Sequence, residues 1–250
     1  MLRRFFVEAP IEPDRPCLIT GSEARHIVKV LRMGPGDRVA LMDCGGARFQ
    51  GVIQSVTRHD VTVIPEKPLP SPPPSSVQIV LCQALLKSGP MDYLIQKTSE
   101  LGIDAIFPFV SQRTIVRLEG ERSANRLRHW SEISRSAAKQ AGRITPARIA
   151  APSPLEELTE KWRSEKGLKA ILWEGEGDRD LKTLLRGPDQ VEKFIGIIGP
   201  EGGFAGKEVE LAEDAGFIPV SLGTRILRAE TAAIVMVAIV QYECGDLAFQ

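Results

Sequence analysis

Two glycine-bearing turns near the C-terminal end constrain this chain most. They are Ile198-Gly199-Pro200-Glu201-Gly202-Gly203-Phe204 and Leu222-Gly223-Thr224-Arg225-Ile226-Leu227-Arg228-Ala229-Glu230-Thr231-Ala232. Each follows a short apolar run, Phe194 to Ile198 and Ile218 to Leu222, that reads as a buried parallel strand. Two neighbouring strands that both end in tight turns leave a crevice at their carboxyl ends, where open α/β sheets bind ligands. The second turn runs straight into an alanine-rich helix, Ala229 to about Gln241. A site built there is made largely of backbone, with a few charged side chains aimed into it.

The rest of the chain divides at a proline-rich stretch, Pro65 to Ser76, which reads as a semi-extended linker unable to join a central strand. Its core, 71–76, separates an expected first domain, 1–70, from a second, 77–250. Before it, Cys17 to Ile19, Arg38 to Met42, Phe49 to Ile53 and Val61 to Ile64 read as short strands. Gly34-Pro35-Gly36-Asp37 and Cys44-Gly45-Gly46 read as turns between them. A short helix from Ser22 or Glu23 to Leu31 carries Arg25, His26, Lys29 and Arg32. After the linker, strand and helix alternate. Val77 to Ala84, Ile103 to Val110, Leu168 to Trp173, Phe194 to Ile198 and Ile218 to Leu222 make about five strands of one parallel sheet. Helices are expected over Met91 to Leu101, Ala124 to Ala141, Gly206 to Ala215 and the C-terminal run. Asp92 falls in the first turn of the first of these, with Gly102 as its C-terminal cap.

Composition narrows the chemistry. With 32 basic and 32 acidic residues the bulk charge names no partner. The charge is unevenly placed, however. Arg113, Arg117, Arg122, Arg126, Arg128, Arg135, Lys139, Arg143 and Arg148 are opposed locally only by Glu119, Glu121 and Glu132, while Glu156 to Asp214 is acidic. Such a stripe suits a surface that tracks phosphates, or an ordinary solvated helix face. Four scattered cysteines without a CxxC pair and three scattered histidines argue against a zinc or iron–sulfur site. The cysteines read as buried thiols of a reducing, cytoplasmic compartment. No apolar run is long enough to span a bilayer, and no secretory leader is visible. No GxGxxG follows the first strand of the second domain, so a dinucleotide site is excluded. Gly206-Lys207 is followed by Glu208, and Glu201 stands where a P-loop needs glycine, so a phosphate cradle is excluded too.

The two turns, together with Arg3-Arg4-Phe5-Phe6-Val7, His26 to Met33, Lys87, Asp92, Ile95-Gln96-Lys97 and Glu100-Leu101-Gly102, resemble the 16S ribosomal RNA uridine N3-methyltransferase family of the knotted SPOUT class. The resemblance spans almost the whole chain. It implies an α/β fold with a SPOUT-like trefoil-knotted parallel sheet, preceded by a PUA-like β-barrel that binds RNA. General topology rules disfavour knots, so that feature comes from the resemblance alone. The implied activity is transfer of a methyl group from S-adenosyl-L-methionine to N3 of one uridine in 16S rRNA of the small (30S) ribosomal subunit. A homodimer is implied as well, with no metal and no membrane partner. A SPOUT methyltransferase with another RNA target, or a non-catalytic RNA-binding ribosome assembly factor, are the alternatives.

Within that reading, Leu172, Ile198, Gly199, Pro200, Glu201, Gly202, Gly203, Leu222, Gly223, Ile226, Leu227 and Arg228 are expected at the cofactor. The glycines permit positive φ and close approach. The apolar members wall the adenosine or are ordinary core. Arg228 is the first catalytic candidate, anchoring the substrate or stabilising negative charge on the uracil carbonyls. Glu201 and Glu230 are candidate bases or orienters. Glu230 would equally serve the dipole of the last helix, and Glu201 would equally brace its turn. Arg25, Lys29, Arg32, Arg113, Arg135, Gln140 and Arg143 are expected on RNA phosphates. Lys97 and Glu100 could simply pair along a helix face.

Overall fold

The computed structural model describes residues 2–7, 9–43, 45–70, 75–116, 120–175 and 179–247, with Ser22 described for its backbone only. Cys44 of the first-domain turn, 71–74 of the linker, Arg117 and Glu119 of the basic stretch, and the Glu176-Gly177 pair lie outside them. The chain forms two compact units, one of Met1–Pro73 with Ala138–Thr145, the other of Pro74–Ala137 with Pro146–Gln250.

In the first unit the elements are β1 (Arg3–Phe6), β2 (Cys17–Ile19), α1 (Gly21–Arg25), β3 (Arg38–Met42), β4 (Arg48–Val56) and β5 (Val61–Pro68). They make one five-stranded sheet in the order β1-β3-β4-β5-β2, antiparallel except for β1 beside β3. Along β4 and β5 buried and solvated residues alternate, so Phe49, Ile53, Val61 and Val63 face one core with Phe5, Ile19 and Leu41. The outer strands β1 and β2 are not paired with each other among the described residues, so the expected β-barrel unit takes the form of a half-barrel sheet. Ala24 and Ile27 of the helical segment complete the same core, covering apolar surface that a closed sheet would otherwise cover.

The expected short helix divides in two. After α1, His26–Val30 widens into a π-helical turn, in which the Leu31 amide donates to the His26 carbonyl at 3.0 Å. It ends at Arg32, held in the left-handed region at φ 53°, where a side chain costs about 1 kcal/mol. The reading of Pro65 to Pro68 as linker is corrected, because β4 pairs with β5 as far as Phe49↔Pro68. Proline is tolerated because β2 covers β5 only at Val61 to Val63.

The second unit contains β6 (Gln78–Ala84), α2 (Ser88–Glu100), β7 (Ala105–Val110) and most of α3 (Gly120–Ala141). Then come β8 (Arg148–Ile149), β9 (Ser153–Pro154), α4 (Leu155–Arg163), β10 (Leu168–Leu172), α5 (Leu181–Leu185), β11 (Lys193–Ile198), α6 (Gly206–Asp214), β12 (Ile218–Val220) and α7 (Ala229–Cys244). All its strands run parallel in the order β12-β10-β11-β6-β7-β8, with β9 also on β7. The five expected strands are present, and the two-residue β8 and β9 extend the β7 edge. Helices α4 and α5 were not anticipated, although Leu155, Leu158 and Trp162 of α4 are buried at helical spacing.

Helix α7 buries Ala229, Ala233, Met236, Val237 and Val240, a stripe at i, i+4, i+7, i+8 and i+11 packed on α2, β6 and β11. Helix α2 starts at Ser88, earlier than expected, so Asp92 lies beyond its first turn. There it accepts from Trp130 Nε1 at 3.2 Å instead of serving the dipole. The described cysteines carry free thiols. Cys82 is buried, and burial pushes its thiol well up, while Cys17 and Cys244 are only half-buried.

Candidate functional site

Three strand ends build the site, not two. The expectation that the strands before the two glycine turns are neighbours is corrected, because β10 lies between β11 and β12. Its own exit, Trp173-Glu174-Gly175, therefore enters the crevice beside the turns at 199–204 and 221–228. A glycine-bearing turn after the third strand was the available signal. Pro90 of α2 and Arg113 beyond β7 complete a cavity of about 1270 Å³. That exceeds the ~300–1,000 Å³ of most small-ligand pockets, so a small ligand leaves room for part of a second one.

All twelve residues expected at the cofactor line this one cavity, as does Glu230. Ile198 is buried in the core beneath α7, and Leu172 and Leu222 pack against that core, so they serve as wall and core together. Ile226 differs. It is 82% exposed and forms rim rather than wall. Gly223 has φ 97°, a conformation L side chains rarely adopt, and it lets the second turn fold back. Gly199 is required for space, since a Cβ there would stand 3.1 Å from the Phe204 ring. Phe204 in turn stacks on the buried Phe109, with centroids 6.4 Å apart.

The charged lining is mixed. Glu174, Asp180, Glu201 and Glu230 meet Arg113, Arg225 and Arg228. Asp180 caps α5, and the Thr183 amide at 2.7 Å holds its carboxyl below the usual range. Arg228 is the N-cap of α7 through its backbone only. Its exposed guanidinium has no hydrogen bond or ion pair among the described residues, and the same is true of the exposed Glu201 carboxylate. Glu230 is half-buried in the first turn of α7.

Arg113, expected on RNA, has another first partner. Its Nη1 donates to the Gly202 carbonyl at 2.8 Å. Beside it Glu208 accepts from the Gln112 amide at 2.8 Å and from the Ala205 amide at 2.9 Å. The exit of β7 is thus stapled to both ends of the 202–205 segment.

The other expected RNA contacts fall elsewhere. Arg25, Lys29 and Arg32 are exposed on the 25–32 segment of the first unit, which also holds exposed Gln140 and half-buried Arg143. Arg135 is half-buried in the second unit. Lys139 is taken up by an ion pair with the buried Glu23. Lys97 pairs with Glu100 at 2.9 Å, the plainer account of those two, whereas Lys87 and Gln96 are exposed.

Comparison with known proteins gives two family matches, an RNA methyltransferase domain over residues 73–241 and an RNA methyltransferase PUA domain over 19–66. Among curated relatives, the ribosomal RNA small subunit methyltransferase E of Synechocystis sp. is 30% identical, covering 88% of this chain and 71% of its own. The Bacillus subtilis protein of the same name is 26% identical over 97% of each. Among solved structures, the Neisseria gonorrhoeae methyltransferase E bound to S-adenosylmethionine superposes with a TM-score of 0.88 at 31% identity, over 99% of this chain and 100% of that one.

Proposed function

The chain belongs to the RNA methyltransferase family, and from that premise we propose that it methylates N3 of a uridine in 16S rRNA of the small ribosomal subunit, using S-adenosylmethionine. The observation that carries the reading is the single cavity at the ends of β10, β11 and β12, onto which the cofactor and catalytic candidates converge. The residues present suit this cofactor. Backbone N–H and C=O groups of the turns can read an adenine, and Leu172, Ile198 and Leu222 offer apolar wall. Carboxylates near the cavity are compatible with a sulfonium. When bound, the cofactor supplies an electrophilic methyl group for in-line displacement.

The chain's own task is to position the uracil and ready its nitrogen. N3 of uracil carries a proton at neutral pH, which must leave for the nitrogen to attack. Arg228, without a side-chain partner among the described residues, stabilises the negative charge that then develops on the flanking carbonyl oxygens. Glu201 or Glu230 accepts the proton or orients the ring. Arg25, Lys29, Arg32, Arg135, Gln140 and Arg143 serve RNA phosphates. The reading includes the trefoil-knotted path, supported by the return of α7 from the β12 edge to β11 and β6. It also includes a homodimer, supported by Tyr93 on α2 and Tyr242 on α7, exposed at 51% and 63% on two helices that pack together. Among the described residues no helix is long and apolar enough to cross a membrane, and the reading places the protein in the cytoplasm.

The test is methyl transfer from labelled S-adenosylmethionine to undermethylated small subunits, followed by nucleoside analysis. Label in 3-methyluridine is expected. Label in another nucleoside would keep the enzyme class and discard the target. No transfer together with no cofactor binding would favour an assembly factor. Arg113→Ala tests the staple on the first turn. Removing one charge-assisted hydrogen bond should raise the cofactor Kd by about 3- to 10-fold, read by calorimetry. RNA binding should change less than cofactor binding.

A further inference from the structure

Gln83 stands one residue from the end of β6 and is 0% exposed. Its Nε2 donates to the Gly199 carbonyl at 3.3 Å and to the Ala84 carbonyl at 3.1 Å. Its Oε1 is buried without a hydrogen-bond partner among the described residues. Both near neighbours are acceptors, so the amide nitrogen is the end that faces them; a flipped amide would bring three acceptors together. The amide leaves one buried acceptor unpaired while it satisfies two buried carbonyls, so the two effects offset each other and its net contribution to folding is small. An apolar side chain of the same length could not hold Gly199.

Gly199 opens the first cavity turn, and its backbone has little else to orient it. It carries no side chain, and the next residue, Pro200, has no amide hydrogen. With its carbonyl turned onto Gln83, the Gly199–Pro200 peptide cannot swing that oxygen into the cavity. The cofactor then meets a prearranged backbone face instead of ordering one on binding.

We propose that Gln83 is a positioning residue for the cofactor, acting through the Gly199 carbonyl. The proposal rests on the methyltransferase reading above. It adds a side chain from the sheet interior that does not itself line the cavity.

The test compares wild-type protein with Gln83→Met, which keeps the length and removes both donors and the unpaired acceptor. Calorimetry gives the Kd for S-adenosylmethionine, steady-state methyl transfer to undermethylated small subunits gives kcat and KM, and thermal unfolding gives Tm. Expected are a Kd and cofactor KM raised about 3- to 10-fold, kcat at saturating cofactor within about twofold, and Tm within about 4 °C of wild type. An unchanged Kd in folded Gln83→Met overturns the proposal. So does a joint fall of Tm, kcat and affinity, which would mark a merely structural role. If Gln83→Met does not fold, Gln83→Asn replaces it, since its amide is drawn back by one methylene from Gly199. The same loss of affinity supports the proposal there, and wild-type affinity overturns it. Failure of the wild-type protein to bind S-adenosylmethionine would instead sink the methyltransferase reading, and this proposal with it.

Discussion

Gly199→Val should weaken S-adenosylmethionine binding about 10- to 100-fold while leaving the protein folded. The first atom added, Cβ, already stands 3.1–3.3 Å from three carbons of the Phe204 ring. The two further methyl groups of valine need space that the ring occupies. Phe204 cannot yield freely, because it is 5% exposed and stacked on the fully buried Phe109. Overpacking of this kind costs about 1–3 kcal/mol, and here it is relieved most easily by moving the cavity turn. A shift of that size in binding free energy is the stated range in Kd. Calorimetry reads it, with thermal unfolding as control. A variant that binds cofactor normally but turns over slowly would remove Gly199 from the cofactor site.

Arg228→Ala should show the opposite split. Its guanidinium is exposed and without a side-chain partner among the described residues, and α7 is capped by its backbone alone. Stability should therefore change by no more than about 0.5 kcal/mol. Loss of a group aimed at developing charge typically lowers kcat by about 10²–10³, and that is the expected fall in methyl transfer at saturating cofactor and RNA. The cofactor Kd should stay within about threefold. Equal losses in kcat and affinity would place Arg228 on the cofactor rather than on the uracil. The two variants form a pair, one failing in binding and the other in chemistry, so a protein merely weakened throughout cannot reproduce both.

Much of this site could be read from local sequence, because backbone makes it. A short apolar run followed by glycines at 199, 202, 203 and 223 marks strand ends and turns without reference to anything distant. Helix α7 and the principal strands of the second unit were legible for the same reason, since burial repeats at a local period. Order across the sheet is not local. That β10 separates β11 from β12, and so brings Trp173 and Glu174 into the cavity, depends on crossovers that no period records. Proline at 65 and 68 looked like linker because a strand's unpaired side is visible only once its neighbours are placed.

Arg113 and Gln83 carry the same lesson in side chains. Arg113 sits at the head of a basic stretch, and its composition pointed to phosphates. Its bond to Gly202, 89 residues along, exists only in the folded chain. Gln83 is one polar residue inside a buried strand and gave no signal at all. The sequence by itself determined the five principal strands of the second unit, its long helices, which turns are backbone-made, and which family motifs they carry, because each follows from residues within a few positions of one another. Tertiary structure alone decided the strand order, the half-barrel form of the first sheet, and the side chains that hold the cavity turns. Each of these depends on contacts between residues far apart in the chain, and only the packed fold brings such residues together.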